Sequence, residues 1–198
     1  MKRIVLATKN QGKIKEMRAL LAPLDIEVLS LADFEPIEDA KENGTTFQDN
    51  ALIKARYYYE HTHVACLADD SGLEVDALDG RPGVYSARYS GENATDATNN
   101  AKLLDEMTDV AEDNRTARFR CSMALVDGDT VLTADGVCEG VILCELRGEG
   151  GFGYDPLFFV PRYDRTLAEL TSDEKNAISH RGHAVRMMVD KIAKLVQS

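Results

Sequence analysis

Three clusters of polar and charged residues in this sequence have the types and spacing that chemistry requires. The first follows a short apolar segment and consists of Thr8, Lys9, Asn10, Gln11, Gly12 and Lys13. Backbone amides at the start of a helix attract anions, and Lys13 adds a positive charge, so this segment could bind a phosphate. Taken alone, an ordinary turn with a surface lysine explains it better.

The second cluster is the pair Asp69-Asp70, with Glu42 in the acidic loop 38–42 as a candidate partner. The pair is expected to end a buried strand, where two adjacent carboxylates are costly unless a metal ion or a basic group compensates them. Mg²⁺ prefers oxygen ligands and needs only one or two carboxylates when phosphates complete its shell. A solvated acidic loop and an Asp-Ser-Gly turn are the alternative interpretation.

The third cluster lies late in the chain and suits a flat heteroaromatic base that carries a phosphate tail. Aromatic rings stack on phenylalanine, and polar base edges are read by hydrogen-bond donors and acceptors. Separately, these residues could equally belong to the core, the surface or a helix start. Together with the first two clusters they describe one ligand, a magnesium nucleoside triphosphate. The cluster consists of Phe152, Gly153, Tyr154, Asp155, Lys175, His180 and Arg181.

Standard nucleotide and metal motifs are incomplete in this sequence. Residues 148–153 fit G-x-G-x-x-G, but Pro156 argues against the helix that a dinucleotide site requires, so a tight loop is expected. A Walker A loop would need glycine where Ala7 stands. His180 and His183 lie one helical turn apart without a third ligand, and we interpret them as polar surface histidines.

The pattern of apolar residues predicts the elements that position these clusters at strand ends, where open α/β sheets present ligands. Strands are expected over residues 3–7, 26–31, 64–68, 73–77, 117–126 and 131–142. Helices are expected from residue 14 to Pro23, behind Thr46, from Thr95 to Met107 and from Ser179 onward. Because helices alternate with strands early and strands dominate the middle, the predicted fold class is α/β with a mixed sheet.

Length and composition exclude several classes of protein. The chain of 198 residues, with a net charge of −11, suits a single domain over 1–198 and disfavours non-specific nucleic-acid binding. We expect neither a signal peptide nor a membrane span, and hence a soluble cytoplasmic protein without a membrane partner. The four cysteines form no C-x-x-C pair and are predicted to be reduced thiols buried in strand-like segments.

Ordered motifs over nearly the whole chain resemble the non-canonical purine nucleoside triphosphate pyrophosphatases, the inosine triphosphatase-like family. The matching segments are Val5-Leu6-Ala7-Thr8-Lys9-Asn10-Gln11-Gly12-Lys13, Gly44-Thr45-Thr46-Phe47, Ala51-Leu52-Ile53-Lys54-Ala55, Ala68-Asp69-Asp70-Ser71-Gly72-Leu73, Pro82-Gly83-Val84-Tyr85-Ser86-Ala87-Arg88-Tyr89, Gly151-Phe152-Gly153-Tyr154-Asp155-Pro156 and Ser179-His180-Arg181-Gly182. So many segments in the same order make chance similarity implausible.

The resemblance implies an elongated, two-lobed fold with a central mixed β-sheet flanked by helices, an active-site cleft between the lobes, and a homodimer. It also implies Mg²⁺-dependent hydrolysis of inosine, deoxyinosine and xanthosine triphosphates to the monophosphate and pyrophosphate. Such a reaction would remove deaminated purines from the nucleotide pool.

The resemblance also implies roles for individual residues. The segment Thr8–Lys13 and Lys54 would hold the phosphates, and Ser71 would touch the substrate. Asp70 would be the catalytic base and a metal ligand. Among Glu38, Asp39 and Glu42, we expect Glu42 to assist the metal. The base-side pocket would consist of Phe152, Gly153, Tyr154, Asp155, Lys175, His180 and Arg181.

Three other functions compete with this one. A Maf-like nucleotide pyrophosphatase would perform the same reaction with a different base preference, although Phe152 and the pair His180-Arg181 argue against it. A non-catalytic nucleotide sensor would bind without turnover, although Asp70 and the two lysines argue against that. A third alternative, an acidic interaction protein without a ligand, leaves the clustered residues unexplained.

Overall fold

The computed structural model describes residues 1–197. It contains helices and strands near the predicted positions, and also two short strands and a short helix between residues 158 and 178 that the sequence pattern does not predict. The elements are β1 (Arg3–Leu6), α1 (Gln11–Leu21), β2 (Glu27–Ser30), α2 (Phe47–Thr62), β3 (Cys66–Val75), α3 (Asp96–Glu106), β4 (Thr116–Asp127), β5 (Thr130–Ile142), β6 (Phe158–Val160), β7 (Arg165–Thr166), α4 (Ser172–Ile178) and α5 (His180–Gln197). Short 3₁₀ turns join several of them.

The seven strands form one mixed sheet in the order β2-β1-β3-β4-β5-β6-β7. Strand β1 pairs in parallel with both β2 and β3, and β6 pairs antiparallel with β5 and β7. The parallel part arises where helices α1 and α2 connect successive strands, as parallel pairing requires. The predicted α/β class with a mixed sheet is therefore confirmed.

The chain forms two compact units. The first consists of Met1–Asp70, Ser122–Asp135 and the chain from Ala184 onward, and the second consists of Ser71–Cys121 and Gly136–His183. Strands β3, β4 and β5 contribute residues to both units. The single domain expected over 1–198 stays a prediction, and residue 198 lies outside the described residues.

Small side chains in the first unit allow α2 to lie close to the sheet. A cluster of buried residues contains Ala51, Ala55, Ala68, Ala124 and Val126. Alanines at successive helix turns on α2 present a flat surface, so the helix axis can approach the strands more closely than with larger side chains. This packing brings polar side chains on the same helix within hydrogen-bonding distance of β3.

Larger side chains fill the core of the second unit. Tyr89, Phe119, Tyr154, Phe158 and Leu103 are members of one buried cluster. Arg115 is only 4% exposed, yet its guanidinium donates to the backbone carbonyls of four residues, which satisfies its buried donors. The carbonyls belong to Met107, Val110, Ile142 and Leu143. Arg115 therefore has a structural role.

The most informative difference from the predicted elements concerns β3. The sequence predicts two strands, 64–68 and 73–77, separated by a polar turn, but the structure has one continuous strand, Cys66–Val75. Asp69 and Asp70 thus lie within the strand, and the prediction that they end it is wrong. The strand continues because these two carboxylates have cationic and amide partners on helices α1 and α2.

None of the helices within residues 1–197 has the length and apolar character that a crossing of the bilayer requires.

The cysteines follow the prediction at three positions out of four. Cys66, Cys121 and Cys138 are buried and unbridged, whereas Cys144 is exposed and follows the end of β5. The prediction of a buried thiol in a strand-like segment is wrong for Cys144, because β5 ends at Ile142. Burial raises the pKa of the Cys66 thiol to about 12 and that of Cys138 to about 11.

These environments predict one fast-reacting thiol in the native protein. At about pH 8 the thiols of Cys66 and Cys138 stay protonated because their pKa values are raised, and the thiolate is the reactive form. Titration with a dithionitrobenzoate reagent should therefore label Cys144 rapidly and the other three only after denaturation. A fast phase that persists in the Cys144→Ser variant would contradict this assignment.

Candidate active site

The segment before α1 is built by local hydrogen bonds of its own side chains. The Thr8 hydroxyl accepts from the Asn10 amide N–H at 3.1 Å, and the Asn10 side chain accepts from the Lys13 amide N–H at 3.1 Å. Asn10 is therefore the N-cap of α1. Gln11 and Gly12 follow as exposed residues of the first helical turn. This geometry leaves the positive end of the helix dipole at the segment where the sequence predicts phosphate binding.

Lys13 and Asp69 form an ion pair between α1 and β3. The distance between Lys13 Nζ and Asp69 Oδ2 is 2.6 Å, and the Asp69 side chain is only 11% exposed. Successive strand residues point to opposite faces of a sheet, so Asp69 and Asp70 have different partners. Asp69 is thereby neutralised by a lysine of the predicted phosphate segment.

Asp70 lies beside two side chains of α2 and one of the acidic loop. Asn50 Nδ2 donates to Asp70 Oδ2 at 3.0 Å, and Lys54 Nζ is 4.0 Å from Asp70 Oδ1. The same Lys54 Nζ is 3.1 Å from Glu42 Oε2. The two carboxylates that the sequence assigns to a metal thus share one ammonium group.

Asn50 has its amide orientation fixed by the chain around it. The Gly44 N–H donates to Asn50 Oδ1 at 2.8 Å, so the Nδ2 donor must face Asp70. Position 44 has to be glycine for this contact, because a Cβ there would lie 2.8 Å from Asn50 Oδ1 and 2.6 Å from Asp49 Cβ. The loop before α2 and the start of that helix are therefore tied to the Asp70 carboxylate.

The charge balance of this group fits a divalent cation. Glu42, Asp69 and Asp70 carry three negative charges against the two positive charges of Lys13 and Lys54. Within residues 1–197 no set of three or more His, Cys, Asp or Glu side chains is placed to hold a metal by itself. Two carboxylates whose remaining ligands come from phosphate and water are sufficient for Mg²⁺.

Asp39 and Lys9 lie apart from this group. Lys9 Nζ contacts Asp39 Oδ1 at 3.3 Å, and both side chains are strongly exposed. An exposed pair of this kind contributes little to stability. Because Asp39 pairs with Lys9 and Glu42 pairs with Lys54, the structure favours Glu42 as the acidic-loop residue beside Asp70.

In the second unit, Phe152 is the exposed tip of a glycine-containing loop. Its side chain is 74% exposed, and Lys175 Nζ lies 4.3 Å from the centre of its ring. Asp155 is only 3% exposed and binds both Lys175 Nζ, at 2.5 Å, and the Phe152 amide N–H, at 2.9 Å. At Gly151 a Cβ would collide with the Asp155 carboxylate, so glycine is required there. The tight loop predicted for residues 148–153 is present.

Tyr154 is a core residue of the second unit. It is 4% exposed, and its hydroxyl donates to the Ser86 carbonyl at 2.8 Å. Burial raises the pKa of the Tyr154 phenol. The resemblance assigns Tyr154 to the base-side pocket. In the structure its side chain is buried, and its hydroxyl ties the loop to the core of the second unit.

His180 begins α5 and packs on an aromatic residue of β4. Its ring stacks on Phe119 with centroids 4.9 Å apart and an angle of 15° between the planes. His183 is partly buried, and its Nδ1 lies 3.0 Å from the Val137 carbonyl oxygen. The interpretation of both histidines as surface residues is therefore wrong, because β4 and β5 cover them. Arg181 is partly buried beside them, and Ser71 is exposed on β3.

The comparison with known proteins decides the family. Residues 4–191 match the sequence profile of the Ham1 family. The chain belongs to the Ham1 family. The resemblance that the sequence motifs indicate is thereby confirmed.

Relatives of this Ham1 family member match it over nearly their whole length. A dITP/XTP pyrophosphatase of Desulforamulus reducens is 53% identical over 194 residues, which covers 98% of this chain and 96% of that protein. A dITP/XTP pyrophosphatase of Bacillus anthracis is 51% identical over 195 residues, covering 97% and 96% respectively. The solved structure of a HAM1 protein from Coxiella burnetii has a TM-score of 0.93 and 45% identity, and covers 98% of this chain and 100% of that chain.

Sequence reasoning missed one residue of this cluster, Asn50. It is 1% exposed and lies on α2 next to the buried Ala51. A signal was present, since Asn50 precedes Lys54 by four residues and the two share one helix face. The pairing of Lys13 with Asp69 was also missed, because it joins residues that are 56 positions apart.

Replacing Asn50 tests whether this contact stabilises the first unit. Asn50→Ala leaves the Gly44 N–H and the Asp70 carboxylate without their amide partner. We expect the free energy of unfolding to fall by about 1–3 kcal/mol, which is the usual cost of a buried polar group that loses its partner. Urea denaturation followed by circular dichroism measures it.

Gln48→Ala on the exposed face of the same helix is the matched control. It should change stability by less than about 0.5 kcal/mol. An Asn50→Ala variant as stable as this control would show that the Asn50 hydrogen bonds contribute nothing to the fold.

Proposed function

We propose that this chain hydrolyses non-canonical purine nucleoside triphosphates (dITP, ITP, XTP and dXTP) to the monophosphate and pyrophosphate in the presence of Mg²⁺. The observation that carries the proposal is the meeting of Asp70, Glu42 and Lys54 within the first unit. Relatives about half identical over nearly the whole chain are dITP/XTP pyrophosphatases. This activity removes deaminated purines from the nucleotide pool.

The phosphate groups are assigned to residues of the first unit. Lys13 and Lys54 each carry a positive charge beside a carboxylate, and Asn10 caps the helix whose N-terminus faces the segment. A triphosphate brings oxygens that compete with Asp69 and Glu42 for the two ammonium groups. Positioning and charge neutralisation of this kind dominate phosphoryl-transfer catalysis.

The proposed chemistry is attack of a water molecule on the α-phosphorus. A bond forms between the water oxygen and phosphorus, and the bond from phosphorus to the bridging oxygen breaks to release pyrophosphate. Asp70 accepts the proton of the attacking water, because Asn50 and Lys54 hold its carboxylate in place without protonating it. Glu42 and Asp70 would hold Mg²⁺, which would supply positive charge to offset the charge that develops on the phosphate oxygens.

Base selectivity is assigned to residues of the second unit. Hypoxanthine and xanthine carry a 6-oxo acceptor that Arg181 or His180 can meet with a donor. Adenine presents an amino donor at that position, and a buried mismatch of donors can reject a substrate by a factor of about 10⁴. Guanine shares the 6-oxo group, so its exclusion depends on its 2-amino group. Phe152, exposed beside Lys175, offers a ring on which the base can stack.

Three further parts of the proposal come from the sequence and the resemblance. The reaction is placed in the cytoplasm, which suits a chain with three buried, unbridged cysteines. The homodimer and the cleft between lobes stay predictions. Sedimentation equilibrium is the direct test of the homodimer.

A substrate panel tests the proposed reaction. Pyrophosphate release is measured from inosine, xanthosine, guanosine, adenosine and thymidine triphosphates, with and without Mg²⁺. We expect strong, metal-dependent release from the first two alone. A preference for thymidine triphosphate would favour the Maf-like alternative, and nucleotide binding without pyrophosphate release would favour a sensor.

Replacing Asp70 separates catalysis from binding. Asp70→Asn keeps the size of the side chain but cannot accept the proton, so turnover should fall by about 10²–10⁴-fold. Binding of inosine triphosphate, measured by calorimetry, should persist. Asp190→Asn, which alters an exposed carboxylate on α5 of the same unit, is the control and should keep full turnover. Unchanged turnover in Asp70→Asn would remove Asp70 from the mechanism.

A further inference from the structure

Both backbone polar groups of Gly153 are held by side chains of helix α3. The Gly153 N–H donates to Asp96 Oδ2 at 2.7 Å, and Asn100 Nδ2 donates to the Gly153 carbonyl at 2.9 Å. Asp96 and Asn100 are four residues apart and therefore lie on one face of the helix. No sequence motif singled out either residue.

Gly153 needs such a support because of its backbone conformation. Its φ is +60°, in the left-handed region that glycine enters freely, and Gly151 on the other side of Phe152 has a φ of +73°. A residue between two such glycines has a poorly determined position unless its neighbours are held. Asp155 holds the Phe152 amide N–H, and α3 holds the following residue.

Asparagine at position 100 is not the residue that would best stabilise the fold. The residue is 5% exposed, and its Oδ1 is buried without a hydrogen-bond partner in residues 1–197. A buried oxygen without a partner destabilises the folded chain, so an apolar side chain would suit this position better. The contact of its Nδ2 with Gly153 is the benefit that offsets this cost.

We propose that Asp96 and Asn100 are positioning residues that hold Phe152 where its ring can stack on the substrate base. Phe152 itself is 74% exposed and gains little support from packing, so its position depends on the backbone on either side. This inference rests on the proposed function, in which Phe152 faces the base. Part of the affinity for the base would then depend on α3, a helix that contains none of the predicted site residues.

The first test compares variants of the two positions. Asp96→Ala and Asn100→Ala each remove one hydrogen bond to Gly153, and each should raise the KM for inosine triphosphate about tenfold while kcat stays unchanged. Asp96→Asn should restore the wild-type KM, because its amide oxygen still accepts from the Gly153 N–H. Asp105→Ala, an exposed residue of the same helix, is the matched control.

A double-mutant cycle with Phe152→Ala tests whether the helix acts through the ring. If Asp96 works by placing Phe152, adding Asp96→Ala to Phe152→Ala should raise KM by less than about twofold further. Hydrogen exchange provides a readout that does not depend on activity. The peptide that covers residues 148–156 should exchange faster in Asp96→Ala and Asn100→Ala than in Asp105→Ala.

The outcomes separate this inference from the proposed function. If the wild type releases no pyrophosphate from inosine or xanthosine triphosphate, the proposed function fails, and with it the role of Phe152 in base binding. If the wild type is active but Asp96→Ala and Asn100→Ala match Asp105→Ala in KM, the inference is overturned and the function stands. A fall in kcat with an unchanged KM, or fully additive effects with Phe152→Ala, would also overturn it.

Discussion

Two adjacent carboxylates inside β3 impose the constraint on which the rest of the first unit depends. A charged group within a largely buried strand is unfavourable unless it is paired and hydrogen-bonded. Asp69 and Asp70 meet this condition with Lys13 on one side and with Asn50 and Lys54 on the other. Helices α1 and α2 must therefore approach β3 closely, and the alanines of α2 permit that approach. The residues proposed for catalysis are thus also those that make the strand possible.

In the second unit, buried side chains hold the backbone around an exposed aromatic ring, that of Phe152. Asp155 is nearly fully buried, and it neutralises Lys175 while binding the backbone of Phe152. Tyr154 fixes the same loop from the core side through the Ser86 carbonyl. Hydrogen bonds from buried side chains therefore hold the backbone of the loop, although the Phe152 ring is exposed to solvent. The residues that the sequence groups as one binding motif therefore differ in the structure, since Phe152 is exposed whereas Tyr154 and Asp155 are buried and hold the loop.

The sequence predicts most of the fold because the decisive signals are local. The spacing of apolar residues, the helix that begins behind Thr46 and the helix from Thr95 to Met107 follow from neighbouring residues, and the structure has helices at Phe47–Thr62 and Asp96–Glu106. The continuity of β3 was missed because it depends on partners far away in the chain, such as Lys13 for Asp69. Asn50 was missed because its role depends on hydrogen bonds with Gly44 and Asp70, which the pattern of residues along the helix does not reveal. The local pattern predicts the elements, but it does not predict contacts between side chains that are far apart in the chain.

The internal ion pairs of the first unit have a consequence for ligands that arrive without a divalent cation. At the proposed phosphate site, an anion such as inorganic phosphate would compete with Asp69 and Glu42 for Lys13 and Lys54. The freed carboxylates would then stand unneutralised beside the new negative charge, and this repulsion weakens binding. A triphosphate with a bound divalent cation would carry positive charge that offsets these two carboxylates. If this is the phosphate site, its ion pairs disfavour anions that arrive without a cation, whatever base the ligand carries.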